Sequence, residues 1–184
     1  MQTGMIRIGA LSHDRFDEVF SIMEHSFPPD EMRPYREQMD LLTNKWYKII
    51  VALDESDRII AFAATWQFED VLFIEHLATR PDMRGQGIGA ELLSYLTCDE
   101  KCTVLLEVEP PENDLTRRRI AFYERNGFVL NLYPYIQPSI SKGRAAVPLM
   151  IMTHCHRLSE PRFKTVRDIL YKEVYKTSAE ALGL

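Results

Sequence analysis

The segment His76 to Glu91, HLATRPDMRGQGIGAE, sets Arg84, Gly85, Gly87 and Gly89 close together just ahead of an apolar helical pattern. Such a loop suits an anion. The first N–H groups of a helix have no partner inside it, and the helix dipole adds about half a positive charge there. Glycines let the main chain approach phosphate oxygens closely, so Arg84, Gly85, Gln86, Gly87, Ile88, Gly89 and Ala90 form a candidate pyrophosphate cradle. Two other readings fit the same letters. Gly85, Gly87 and Ala90 satisfy the loose dinucleotide pattern G-x-G-x-x-A, with Glu107 near the place of its ribose-binding acid. Against this, the polar run Arg80 to Arg84 separates the preceding strand from the first glycine, and much of the chain comes before the unit. A glycine-rich turn with no ligand is the plainer alternative, which three alternating glycines disfavour because each costs backbone entropy.

Other polar groupings carry less. Arg117, Arg118 and Arg119 suit a phosphate partner, although a basic run is more often a solvated helix face. His154-Cys155-His156 puts two imidazoles on one side of an extended segment, but no third ligand lies nearby in sequence, and no metal is expected. Cys98, Cys102 and Cys155 lack the paired spacing of a zinc site and read as reduced thiols.

The elements that position these residues follow from periodicity. Met5 to Leu11 reads as a strand, and Ser12 offers a hydroxyl cap to a helix with Phe16, Val19, Phe20 and Met23 on its apolar face. A second helix starts near Pro34, uses Met39 and Leu42, and stops before Asn44. Trp46 to Leu53 and Arg58 to Gln67 form a hairpin about the polar turn Asp54 to Asp57, and Val71 to Thr79 continues the meander. Ile88, Leu92, Leu93 and Leu96 share a helical face before the strand Thr103 to Val108. A helix over Leu115 to Arg125 stops at Asn126-Gly127, and Phe128 to Leu132 returns as a strand. Val147 to Met152 is the last strand, and Phe163, Val166, Leu170 and Val174 stripe a terminal helix at about 160–177. This order predicts an α+β fold rather than a doubly wound sheet.

The 184 residues suit a single domain with a sizeable core. A chain that is 46% hydrophobic and 27% charged is of ordinary globular composition. The formal net charge of -5 argues against general nucleic-acid binding, which needs a basic face. Met1 to Leu11 does not read as a secretion signal, and no apolar run is long enough for a membrane span. A cytoplasmic location, with no membrane partner, is the expectation.

The glycine loop resembles the acyl-CoA loop of the GNAT superfamily, whose pattern [QR]-x-x-G-x-[GA] is met by Arg84, Gly87 and Gly89. Ala121-Phe122-Tyr123-Glu124-Arg125-Asn126-Gly127-Phe128 is similar to the second signature of that family, a helix ending A-x-x-[FY]-Y-E-x-x-G-F. The resemblance covers Trp46 to Leu132 well and the last fifty or so residues loosely. It implies a mixed central sheet, splayed between Val71 to Thr79 and Thr103 to Val108 and flanked by helices on both faces. It also implies acetyl-CoA as acyl donor, with its pyrophosphate on Arg84 to Ala90 and its pantetheine amides along Leu77, Ala78 and Thr79. This sequence departs from the common pattern between Glu107 and Tyr123. Many members carry an asparagine seven residues before the tyrosine, where Thr116 stands here, and Asn113 lies three residues earlier.

The implied activity is transfer of the acetyl group to a primary amine by direct attack on the thioester. A lysine-like amine is almost wholly protonated at pH 7, and presenting it neutral costs about 4 to 5 kcal/mol. Glu107 is the first candidate base, because its strand position resembles the base-bearing strand of some members; its other reading is a pair with Arg117 or Arg119. Glu75 is the second candidate, unless it faces solvent at a strand edge, and Glu109 shares the face of Glu107. Tyr123 resembles the tyrosine that protonates the leaving thiol, although it could simply pack beneath the loop.

Phe27, Tyr35, Tyr133 and Tyr135 are expected to wall the acceptor pocket and suit a small-molecule amine or a peptide amino terminus alike. The rival functions are a CoA-binding sensor without turnover and a nucleotide-dependent oxidoreductase. The terminal helix fits a monomer or a homodimer.

Overall fold

The computed structural model describes residues 5–99 and 102–183. The chain divides into two compact units, Met1–Pro28 with Pro34–Val104, and Pro29–Arg33 with Leu105–Leu184.

The first unit holds β1 (Arg7–Ala10), α1 (Phe16–Glu24), α2 (Tyr35–Asp40), β2 (Tyr47–Leu53), β3 (Ile59–Phe68), β4 (Val71–Thr79) and α3 (Ile88–Leu96). The strands β1 to β4 pair antiparallel in chain order. β3 reads IIAFAATWQF and is buried almost end to end. Its near-continuous apolar run is that of a strand covered on both faces, and α1 and α3 both pack on it. Val19 and Met23 of α1 have no exposed surface, and each such burial contributes about 1.5–3 kcal/mol. The β2–β3 turn closes on Asp54, whose Oδ1 accepts from the N–H groups of Ser56 and Arg58 at 3.0 Å each.

Two expectations are corrected here. The Ser12 hydroxyl turns to the Asp14 carboxylate rather than to a free helix N–H, and α1 begins later, at Phe16. Donation to this charged and therefore strong acceptor fixes the hydroxyl's rotamer, and no helix N–H bonds to its oxygen. In α2 the residue facing inward is Gln38, fully buried with its amide donating to the Tyr47 hydroxyl at 2.5 Å, while Met39 is 47% exposed. The amide is tolerated inside because its Nε2 meets the Tyr47 hydroxyl.

The second unit holds β5 (Thr103–Val108) from Leu105 on, α4 (Asp114–Arg125), β6 (Phe128–Leu130), β7 (Ile136–Gln137), β8 (Val147–Pro148), β9 (Met150–His154) and α5 (Glu160–Glu173). β9 pairs antiparallel with β5 on one side and β6 on the other, and β7 and β8 form a separate ribbon. The predicted strand Val147 to Met152 is therefore two. Pro148 has no N–H to give a ladder, so the chain leaves the β7 ribbon there and starts β9 at Met150. β6 also ends early, because the fully buried Asn131 turns inward. Its side chain donates to Ile151 O at 3.2 Å and Thr153 Oγ1 at 3.0 Å, and accepts from Leu158 N–H at 2.9 Å.

The plan is the α+β arrangement that the element order predicts. Among the described residues no helix is long and apolar enough to cross a membrane.

Candidate functional site

The glycine loop lies where β4 hands over to α3. Gly85 and Gly87 have φ of 78° and 83°, backbone that L side chains rarely adopt. A Cβ built on either would meet nothing within 4 Å, so open space lies against both. Gly87 is the N-cap of α3 and, like any glycine, brings no side chain to its first turn. The Ala90 and Glu91 N–H groups turn back to Gly87 O at 2.9 and 3.1 Å. Helix geometry leaves those of Ile88 and Gly89 without an acceptor in the helix. Two left-handed glycines followed by these N–H groups make a concave array of donors suited to a pyrophosphate. Arg84 Nε donates to Thr79 O at 3.4 Å and ties the loop to the end of β4. Beside the loop lies a cavity of about 230 Å³, walled by Ile60, Met83, Gln86 and Ile88 and by the turn Asp54 to Ser56.

β4 is not a regular strand. Ala64 of β3 faces His76 and the next residue, Thr65, faces Ile74, so Glu75 is an extra residue, a β-bulge. The bulge turns two successive side chains inward. Glu75 and His76 are each 2% exposed at the side chain, with the carboxylate 3.7 Å from the imidazole Nδ1. Phe27 meets the His76 ring edge-on at 4.7 Å. The solvent-facing alternative for Glu75 is thereby corrected. The consecutive polar pair inside the apolar run of β4 was the available signal for the bulge.

In the second unit Glu107 occupies β5 opposite Ile151. Its Oε1 accepts from the Tyr135 hydroxyl and, at 3.0 Å, from the Tyr175 hydroxyl, which also lies 2.8 Å from Oε2. Burial first, and then the Glu107 charge, push the Tyr135 phenol well above its ordinary range. Arg119 pairs instead with Glu109, and Arg117 donates to Asp114 at 2.8 Å and Pro111 O at 3.1 Å. Burial, then the neighbouring Glu109, raises the Glu31 carboxyl.

Tyr123 projects from α4 into packing with Phe122 and Phe128. Burial pushes its phenol up to about 12, with Arg119 opposing. Asn113 caps α4, its Oδ1 accepting from the Leu115 and Thr116 N–H groups at 2.9 and 3.0 Å, while the Thr116 hydroxyl accepts from Asn113 N–H. The departure from the family pattern is thus a capping box. Gly127, with φ 83°, ends the helix beside His154, whose Nε2 would lie 3.0 Å from a Cβ there.

The four aromatic residues expected to wall the acceptor lie in different settings. Tyr35 packs on Phe16 and Phe20 and donates to Asp17. Tyr133 packs on Phe163 and donates to Leu158 O at 3.2 Å, and Tyr135 is buried at Glu107. Sequence reasoning missed His76, Tyr171 and Tyr175. The i, i+4 spacing of the two tyrosines about α5 could have marked them. Among the described residues no cluster of three metal-ligating side chains occurs, and the three cysteines are free.

Residues 45–130 match the family model of the acetyltransferase (GNAT) domain. The chain is 34% identical over 104 residues to YjbC of Bacillus subtilis (strain 168), a protein named as a candidate acetyltransferase, covering 55% of this chain. It spans about half the length, 52%, of that curated relative. A solved candidate GNAT acetyltransferase from Bacteroides thetaiotaomicron superposes with a TM-score of 0.82 at 28% identity, covering 94% of this chain and 99% of its own. The ribosomal-protein-S18-alanine N-acetyltransferase of Escherichia coli shares the fold, with a TM-score of 0.59 at 24% identity over 84% of this chain and 96% of its own.

Proposed function

We propose that this chain, which carries a GNAT acetyltransferase domain over residues 45–130, transfers the acetyl group of acetyl-CoA to a primary amine. The observation that carries the reading is the open, doubly left-handed glycine loop at the start of α3. Its backbone N–H groups hold the pyrophosphate, with Leu77, Ala78 and Thr79 lending backbone groups to the pantetheine amides. Bound acetyl-CoA supplies the acetyl group as a thioester.

Glu107 receives the proton that the amine must lose, and Glu75 is the second candidate for that work. Tyr123 serves the leaving sulfur. With the phenol up at about 12 and a thiol near 8.5, full proton transfer from Tyr123 Oη would run uphill by about 5 kcal/mol. Tyr123 therefore acts by donating a hydrogen bond to the sulfur as its charge develops, and solvent completes the protonation. Phe27 and Tyr133, both half-buried, keep ring surface for an acceptor, and Tyr35 adds an exposed edge. Similarity to an alanine N-acetyltransferase supports the amine as acceptor class, and protein and small amines both remain on the test panel.

The experiment is thermal unfolding with saturating acetyl-CoA, free CoA and NADH, followed by thiol release over a panel of amines, polyamines, amino acids and peptides. Ligand at a hundred times its Kd adds about 2.7 kcal/mol, several degrees for a chain of this size. A rise with both CoA species and none with NADH, plus amine-dependent thiol release, is expected. A rise without release on any amine would favour the CoA sensor. A rise with NADH alone would overturn the reading in favour of an oxidoreductase.

A further inference from the structure

A strand can aim a carboxylate but cannot hold it still, since a glutamate keeps its side-chain rotations unless something fixes them. At Glu107 two phenols do so. Tyr135 arrives from the segment before β7 and Tyr175 from just beyond α5, and they are 4% and 8% exposed. Both hydroxyls point at the one carboxylate. Both bonds reach Oε1, and they are strongest when the carboxylate is charged, because a hydrogen bond to an ionised acceptor is about twice as strong as one to a neutral acceptor.

The clamp is itself anchored. The fully buried Tyr171 donates to Ile136 O at 2.7 Å, next to Tyr135. Tyr175 N–H donates to Leu170 O at 3.1 Å, and Arg33 Nη2 reaches Val174 O at 3.5 Å. Every phenol involved lies beyond the segment 45–130 that carries the family match.

We infer that Tyr175, together with Tyr135, is a positioning residue for the base of the reaction, so that the chain around α5 supplies part of the catalytic machinery. The inference rests on the reading of Glu107 as that base. Hydrogen bonds to the charged form hold a carboxyl group's pKa down, and removing one lets it rise. Among the described residues Tyr135, Tyr171 and Tyr175 lie about Glu107, Arg33 reaches the carbonyl of Val174 next to Tyr175, and Glu109, paired to Arg119, stands two residues along β5. Only the altered phenol changes in the test.

The test uses Tyr175→Phe, Tyr135→Phe and Glu107→Gln in the full chain, with isotope-labelled glutamate. The Glu107 carboxyl resonance, assigned by its loss in Glu107→Gln, is titrated in each protein. Turnover is followed against pH with acetyl-CoA and the amine that gives most thiol release. Losing one bond to a charged group moves the carboxyl midpoint and the acid limb of turnover up by about 1 unit. Turnover at neutral pH, where the carboxyl stays ionised, falls several-fold because the carboxylate loses its fixed orientation, while the KM for acetyl-CoA and the thermal shift by CoA hold. Tyr135→Phe moves both in the same direction and serves if Tyr175→Phe does not fold. If Glu107→Gln is inactive while both phenylalanine variants keep the parent's midpoint and acid limb, the positioning inference is overturned and the base stands. If Glu107→Gln keeps full turnover, the base itself falls and the inference with it.

Discussion

The Glu75 carboxylate lies 3.7 Å from Nδ1 of its own chain neighbour, His76. A regular strand sends successive side chains to opposite faces, so this contact exists only because the bulge inserts Glu75 between the paired positions. Deleting Glu75 would straighten the register and turn Val71 to Ile74 over; all four are buried, so each side chain would be forced into a site packed for its neighbour. The deletion variant is expected to lose cooperative thermal unfolding. Glu75→Gln keeps the chain length and is expected to unfold cooperatively. A deletion variant as stable as the parent would remove the structural role of the bulge.

Gly87→Ala separates backbone strain from crowding. The new Cβ meets nothing within 4 Å, but φ stays at 83°. The cost should be the left-handed penalty alone, about 1 kcal/mol, which is about 2–4 °C at this chain length. The methyl also enters the open side of the loop, so the thermal shift given by CoA should shrink by more than the shift in the free protein explains. An undiminished CoA shift would place the cofactor elsewhere.

At Gly127 both penalties act. The φ of 83° is joined by His154 Nε2 at 3.0 Å and Cδ2 at 3.2 Å from the added carbon. Gly127→Ala is expected to cost about 2 kcal/mol or more in urea unfolding. The double variant with His154→Ala should recover the crowding share and leave the strain share, and simple additivity would show that His154 yields freely.

The buried phenols set an alkaline limit. Tyr123 and Tyr171 are both raised to about 12 from the ordinary 10.0 of a tyrosine, chiefly by burial. A raised folded pKa means that the folded state holds the proton more tightly. The stability this gives is whole below pH 10 and drains away as pH climbs through 12. For Tyr123 the rise corresponds to roughly 2 to 3 kcal/mol. Urea midpoints should hold to about pH 10 and fall steeply above it, with phenolate absorbance appearing as the chain unfolds. Tyr123→Phe should make the fall shallower; an unchanged slope would count against burial of this phenol.

Much of this was legible in the sequence because each signal was local. The glycines of the loop, the Asn126-Gly127 stop and the terminal apolar stripe each depend on near neighbours. What was lost depended on partners far along the chain. Gln38 is inside because Tyr47 receives it, and Met39 is outside for the same reason. The strand predicted over Val147 to Met152 splits because Val147 and Pro148 belong to β7 while Met150 onward belongs to β5 and β6. Glu107 reads as the base, with a pair to Arg117 or Arg119, both near in sequence, as its other reading. It meets Tyr135 and Tyr175 instead, the latter 68 residues away.

The starts of α3 and α4 differ in a way that deuterium can report. The amides of Leu115 and Thr116 are covered by the Asn113 side chain in the protein alone, so their exchange with solvent is slowed before any ligand arrives. Those of Ile88 and Gly89 follow a glycine cap that brings no side-chain acceptor. They should trade hydrogen quickly in the free chain and slow sharply once a phosphate lies over them. The pair forms an internal clock, one hand fixed and one free, and the labelling pattern of a peptide spanning each would locate the bound cofactor without a crystal or an assay.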